Sequence, residues 1–169
     1  MTKDNDFEFI TTIGQDSHRF LEDESTKPCV IAGLIFNNMP GLSADSDGDV
    51  VYHSICNAIT SITHVPILGK VAIDLYKKEG ITDSQVYLEK ALKTLENKKI
   101  IHVSLSIEGR RPRLQFRVDQ MRESIAKVLK INADRIGITV TSGDGMTSFG
   151  CGEGLQCFCA LTVKSINIA

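Results

Sequence analysis

Two segments far apart in the chain alternate apolar and polar side chains. Ile101, Val103, Leu105 and Ile107 fall on one side of a segment read as a strand over 101–107, and Leu155, Cys157, Cys159, Leu161 and Val163 do the same over 155–164. Successive side chains on a strand point to opposite faces, so each segment carries one apolar face that must be covered. Cysteine on such a face packs as a small apolar residue, which is the role expected of Cys157 and Cys159. The cover comes from helical periodicities elsewhere. A helix is expected from Ser46 to about Thr63, with Val51, Ile55, Ala58, Ile59 and Ile62 on one face; Asp49, His53 and Asn57 line the opposite face, so that His53 points away from the core. Ser46 with Asp49 resembles a capping box. A second helix spans about Ser84 to Glu96 with a Thr82-Asp83-Ser84 cap, and a third spans 115–130, packed through Val118, Met121, Ile125, Val128 and Leu129.

The remaining extended segments are 7–20, 29–36 and 136–142. The first two are joined by the polar loop 22–28 and are expected to form a hairpin that opens the fold. Pro66 and Gly69 interrupt the chain after the first helix, and Gly143, Gly145, Gly150, Gly152 and Gly154 mark a Gly-rich loop before the last strand. The order ββ, αα, β, α, ββ implies an α+β fold (an α/β sandwich): a mixed four-stranded-type sheet with helices on one face plus the N-terminal hairpin. One domain over 9–169, preceded by a polar extension over 1–8, suits a chain of 169 residues that is 42% apolar.

Composition excludes several partners. Net charge is -2, there is no basic block, and three Tyr, seven Phe and no Trp offer no stacking platform, so no nucleic-acid partner is expected. No apolar run is long enough to span a bilayer and the acidic start is not a leader, so a cytoplasmic protein without a membrane partner is expected. Five cysteines at irregular spacings predict no disulfide.

Chemistry concentrates in a few places. Asp16 and His18, two apart on a strand, project from one face and could hold a cation; alone, such a triplet is more often a solvated turn. His53, with Asn57 one turn on to orient its ring, adds a third ligand, and three N/N/O ligands leave an open position of the kind found at catalytic zinc. Thr141-Ser142-Gly143-Asp144-Gly145 presents hydroxyls and amides that could cradle phosphate, with Asp144 able to carry magnesium; the alternative is a simple turn. Arg110-Arg111-Pro112-Arg113 could meet phosphate or a base edge, or be a solvated loop. His64 and His102 lack partners and read as structural or surface residues.

Taken together, DxH at Asp16–His18, SDGDVxxH from Ser46 to His53, ITDS from Ile81, RPRL from Arg111, TSxD from Thr141 and the final GxGEG resemble the 2-C-methyl-D-erythritol 2,4-cyclodiphosphate synthase family, in order, from about Ile13 to Lys164. That resemblance implies a homotrimer with active sites between neighbours, which cyclises a CDP-methylerythritol 2-phosphate and releases CMP. It implies zinc, or a similar divalent ion, at Asp16, His18 and His53, and magnesium or manganese on the substrate diphosphate near Asp144. Ser142 would contact the phosphate in the transition state and Thr141 would lie beside the cytidine with Gly143; Pro112, Arg113 and Leu114 would form the cytosine pocket; Ser46, Gly69 and Asp74 would meet the rest of the substrate. Asp45 stands where the family has a phosphate-contacting histidine in the catalytic loop. Ile67-Leu68-Gly69 stands where it has Asp-Ile-Gly, and Cys151 and Phe158 replace a charged pair at the three-fold cavity. These departures leave as an alternative a silent trimer that binds metal and cytidine nucleotide, and a metal-dependent phosphohydrolase as a third reading.

Overall fold

The computed structural model describes residues 7–166. A four-stranded sheet is built from β1 (Phe7–Arg19), β6 (Gly154–Ile166), β4 (Lys99–Glu108) and β5 (Ile136–Thr141), in the spatial order β1-β6-β4-β5. β6 is antiparallel to both neighbours and β5 is parallel to β4. Leu155, Cys157, Cys159, Leu161 and Val163 are buried on one face with Val103, Leu105 and Ile107, as the alternation demands. At the start of β4 a bulge breaks the register, so Ile100, not the expected Ile101, packs on the core.

The covering helices are α1 (Val50–Thr63), α3 (Ser84–Lys93) and α4 (Val118–Leu129), with α2 (Lys70–Glu79) beside them. α1 is the central element, packed on β1, β6 and α3. Ile55, Ile59 and Leu88 are fully buried at this junction, each contributing about 1.5–3 kcal/mol of burial.

The arrangement of the elements departs from the sequence expectations in four further places. The opening hairpin does not form: β1 pairs along its whole length with β6, from Phe7 opposite Ile166 to Arg19 opposite Gly154. The hairpin is instead β2 (Pro28–Ile31) with β3 (Leu34–Pro40), closed through Ala32 and Gly33, both at positive φ (54° and 72°) as a tight two-residue turn requires. α1 starts later than expected because Asp49, not Ser46, is its N-cap. The Asp49 carboxylate accepts from Val51 N and Tyr52 N, and also from Ala32 N (2.9 Å) and Gly33 N (2.6 Å), fastening the hairpin turn to the helix. α2 is an additional helix in a stretch that periodicity leaves unassigned; it has no side-chain cap, buries only Leu75, and ends at Gly80. The segment before α4 is a short 3₁₀ turn, Leu114–Arg117.

Of the polar extension expected over 1–8, Phe7 and Glu8 belong to β1, and residues 1–6 lie outside the described residues, as do 167–169.

Candidate metal centre

β1 meets α1 almost backbone to backbone at Gly14. A Cβ there would lie 2.1 Å from the carbonyl oxygen of Ser54 and 2.3 Å from the nitrogen of Ala58, so only glycine permits the approach. Two polar contacts set the register: Thr12 Oγ1 donates to Ala58 O (2.9 Å) and Asn57 Nδ2 donates to Gln15 O (2.8 Å). Asn57 therefore holds the strand, and does not orient the His53 ring as its helical spacing suggests.

Two and four residues beyond Gly14, Asp16 and His18 project toward α1 and converge with His53. Asp16 Oδ2 lies 3.0 Å from both His18 Nε2 and His53 Nδ1, and the two ring nitrogens are 3.3 Å apart. Among the described residues this is the group of three or more His, Cys, Asp or Glu donors whose atoms lie within 4.8 Å of one another. Ligand atoms about 2.0–2.1 Å from a tetrahedral ion stand roughly 3.3 Å apart, so the spacing fits a single divalent ion without rearrangement. Burial pushes the Asp16 carboxyl up, but hydrogen bonds with His18 and His53 and their charges outweigh it and bring it to about 2. Asp16 is thus an anionic ligand at neutral pH.

His53 is not on an exposed helix face: it is 6% exposed, because α1 is enclosed on nearly every side and its polar stripe faces β1 and α3. The triad opens onto a cleft of about 250 Å³ walled by Ala44, Asp45 and Ser46 of the loop before α1, by Leu68, Gly69, Ala72 and Ile73 leading into α2, and by Tyr87 of α3. Lys27 secures the first wall. Its ammonium donates to the carbonyls of Leu42 (2.7 Å), Ala44 (2.8 Å) and Ser46 (2.5 Å), using all three of its protons on one loop.

A second cavity of about 340 Å³ lies at the ends of β4 and β5, lined by Pro112, Arg113 and Leu114 together with Thr141 and Ser142. Ser142 Oγ donates to Asp144 Oδ1 (2.9 Å) in the turn Gly143–Gly145, where Asp144 is exposed at a φ of 47°.

A family model described as the YgbB family matches residues 9–164. The chain belongs to the YgbB family. Within and around that family, the chain is 57% identical over 152 residues to a 2-C-methyl-D-erythritol 2,4-cyclodiphosphate synthase of Chlamydia caviae, covering 89% of this chain and 86% of that one. Its fold matches the bifunctional IspDF of Campylobacter jejuni with a TM-score of 0.84 at 27% identity, covering 94% of this chain; the chain spans 43% of that protein's length. It also matches a 2C-methyl-D-erythritol-2,4-cyclodiphosphate synthase in a CDP-bound form, with a TM-score of 0.71 at 25% identity over 91% of this chain and 99% of that one.

In this YgbB-family chain the sequence-predicted residues separate into two places. Asp16, His18, His53, Asp45, Ser46 and Gly69 share the first cleft; Pro112, Arg113, Leu114, Thr141 and Ser142 share the second, with Gly143 and Asp144 in the adjoining turn. Asp144 is outside the donor triad, and Asp74 sits on α2, half-buried, next to the cleft residue Ile73 but not itself lining either cleft. Lys27 and Tyr87 belong to the site without any motif that points to them, and Ser84 belongs to it as the last residue of the ITDS motif, which by itself assigns it no role. Ser84 reads in the sequence as part of a helix cap, yet its Oγ lies 2.9 Å from His53 Nε2.

Proposed function

We propose that this protein closes 4-CDP-2-C-methyl-D-erythritol 2-phosphate into 2-C-methyl-D-erythritol 2,4-cyclodiphosphate and releases CMP, as a phosphorus–oxygen lyase of non-mevalonate isoprenoid precursor synthesis working in the cytoplasm. The observation that carries the proposal is the Asp16, His18 and His53 triad set for one divalent ion at the floor of a cleft. The relationship to the synthases supports it. In the reaction an oxygen of the 2-phosphate attacks the β-phosphorus, the bond from that phosphorus to the bridging oxygen breaks, and the oxygen leaves with CMP; no water is consumed. Little covalent chemistry is asked of the protein, so positioning and charge neutralisation carry the rate.

The triad holds zinc or a similar ion, which when bound supplies positive charge to polarise the diphosphate. Ser46, Asp45 and Gly69 line the same cleft; Asp45 would stand in the catalytic loop, and Asp74, next to the cleft residue Ile73 on α2, would meet the substrate. The second cavity takes the cytidine, between Pro112, Arg113 and Leu114 and the Thr141 end of β5, with Gly143 beside it. Ser142 would offer its hydroxyl to the transferring phosphate, and Asp144 would hold magnesium or manganese, which would neutralise charge on the substrate diphosphate.

β1, which carries Asp16 and His18 of the triad, and β5, which leads into the nucleotide cavity, are at opposite edges of the four-stranded sheet, about three strand spacings or roughly 14 Å apart. On the proposed reading a complete site joins the triad of one subunit to the cytidine cavity of the next, in a homotrimer. The uncovered sheet face supports this assembly: Phe9, Ile13 and Phe158 are 56%, 69% and 48% exposed there.

A second reading is favoured by the apolar part of the cleft lining, Leu68, Ala72 and Ile73. On that reading the protein binds metal and cytidine nucleotide without turnover. Phosphorus NMR of the metal-loaded protein with the CDP-methylerythritol 2-phosphate separates them. Cyclic diphosphate and CMP in equal amounts are expected; binding without product supports the silent trimer, and open-chain phosphates support a phosphohydrolase.

A further inference from the structure

Through its other ring nitrogen, His53 makes a second set of contacts that the proposed reaction does not use. Its Nε2 lies 2.9 Å from Ser84 Oγ. The Ser84 hydroxyl in turn meets Asp47 Oδ1 in a short hydrogen bond, and the Ser84 backbone N–H donates to Asp47 Oδ2 (3.2 Å). Asp47 is itself fixed, its N–H donating to Thr82 O (2.7 Å) and its Oδ1 accepting from Asp49 N (3.1 Å). Ser84 is fully buried. The chain of contacts thus runs from the start of α3, through the SDGD segment, to the ring on α1.

The placement of protons gives the chain a direction. A carboxylate oxygen only accepts, so the Ser84 hydroxyl proton goes to Asp47 and the Ser84 oxygen faces His53 with lone pairs. The ring nitrogen opposite must then be a donor, which places the imidazole proton on Nε2. In the neutral ring Nδ1 is left with its lone pair, aimed at Asp16 Oδ2 and His18 Nε2, 3.0 and 3.3 Å away; only a ring protonated on both nitrogens, in the metal-free protein, donates from Nδ1 to Asp16. Ser46 Oγ is also near Nε2, at 3.3 Å, but it already accepts from Gly48 N (3.1 Å) and is not backed by a carboxylate contact of the Ser84 kind. With Nδ1 held as an acceptor, the triad converges electron pairs on one point, an arrangement at ease only around a cation.

We infer that Ser84, backed by Asp47, is a positioning residue that fixes the Nε2–H tautomer of His53 and so presents Nδ1 to the metal. The inference rests on reading the triad as a metal centre. Hydrogen-bond partners of this kind set the ring's orientation and basicity, and losing one weakens metal binding by about 10- to 100-fold.

The test is zinc affinity, measured by competition with a chromophoric chelator on metal-stripped protein. Ser84→Ala and Asp47→Asn are each expected to weaken zinc binding about 10- to 100-fold, and Ser84→Thr, which keeps the hydroxyl, to restore wild-type affinity. Alanine at 84 with undiminished affinity overturns the inference, whereas a wild type that takes up no zinc overturns the metal centre itself. A measurement on the unsubstituted protein stands independently of how the variants fold: long-range ¹H–¹⁵N correlation of histidine-labelled, zinc-loaded protein should show His53 protonated at Nε2. Protonation at Nδ1 overturns the relay, and so does a threonine variant that binds no better than alanine.

Discussion

Replacing His53 with alanine empties the metal centre and lowers kcat/KM by at least about 10²-fold, the range for losing one preorganised electrostatic stabiliser. Asp16 and His18 remain, but both come from one strand and are each 21% exposed, whereas His53 is the ligand that closes the site from the helix side. Two ligands two residues apart give neither the coordination number nor the enclosure that distinguishes a resident ion from an adventitious one. The fold is expected to survive, because α1 is held through Val51, Ile55, Ala58 and Ile59, all fully buried and untouched by the change. Elemental analysis of dialysed protein, paired with thermal melting of the metal-free form, separates loss of the ion from loss of the fold. Retained stoichiometric zinc in the alanine variant would remove His53 from the ligand set.

The second large effect is on stability. Gly14→Ala forces a methyl group against the backbone of α1, 2.1 Å from Ser54 O and 2.3 Å from Ala58 N. A flexible side chain could swing aside; a helix backbone already committed to its own hydrogen bonds cannot. Overpacking commonly costs 1–3 kcal/mol, and here the obstacle is rigid, so a loss of about 3 kcal/mol or more is expected. For a domain of this size that is a fall in Tm of roughly 6–12 °C. The same displacement moves β1 away from α1 just before Asp16, so zinc affinity should fall with it although no ligand is altered. Denaturant titration measures the first effect; a loss under about 1 kcal/mol would contradict so close an approach.

The strands and helices that obey one simple period are legible in the amino-acid sequence. β6 and most of β4 announce themselves by alternation, and α1, α3 and the body of α4 by their apolar stripes. Sequence reasoning fails where the deciding contact is remote along the chain. β1 and the segment after it have the composition of a hairpin, but the β6 partner of β1 offers thirteen matched residue pairs, from Phe7 to Arg19, while Ala32-Gly33 closes a tighter local turn. α2 lacks both a side-chain cap and a broad apolar stripe, the two signals a helix shows in its sequence. His53 reads as polar-face because one buried stripe is visible; nothing in periodicity says that β1 and α3 enclose the other side. Site chemistry divides the same way. The spacing of Asp16 and His18 sets their common face, the helical placement of His53 offers a third ligand, and the family motifs join the three. Lys27 and Ser84 act through contacts with distant backbone and side chains, on Leu42, Ala44 and Ser46 in one case and on Asp47 and His53 in the other. Such contacts leave no local pattern.

Whether Asp16, His18 and His53 together hold one divalent ion is tested most directly by anomalous X-ray diffraction across the zinc absorption edge, on crystals of the zinc-loaded protein. A single strong peak per chain is expected at this triad, bonded to Asp16 Oδ2, His18 Nε2 and His53 Nδ1. A peak elsewhere in the chain with these three atoms unligated, or an ion reached through His53 Nε2, would contradict it.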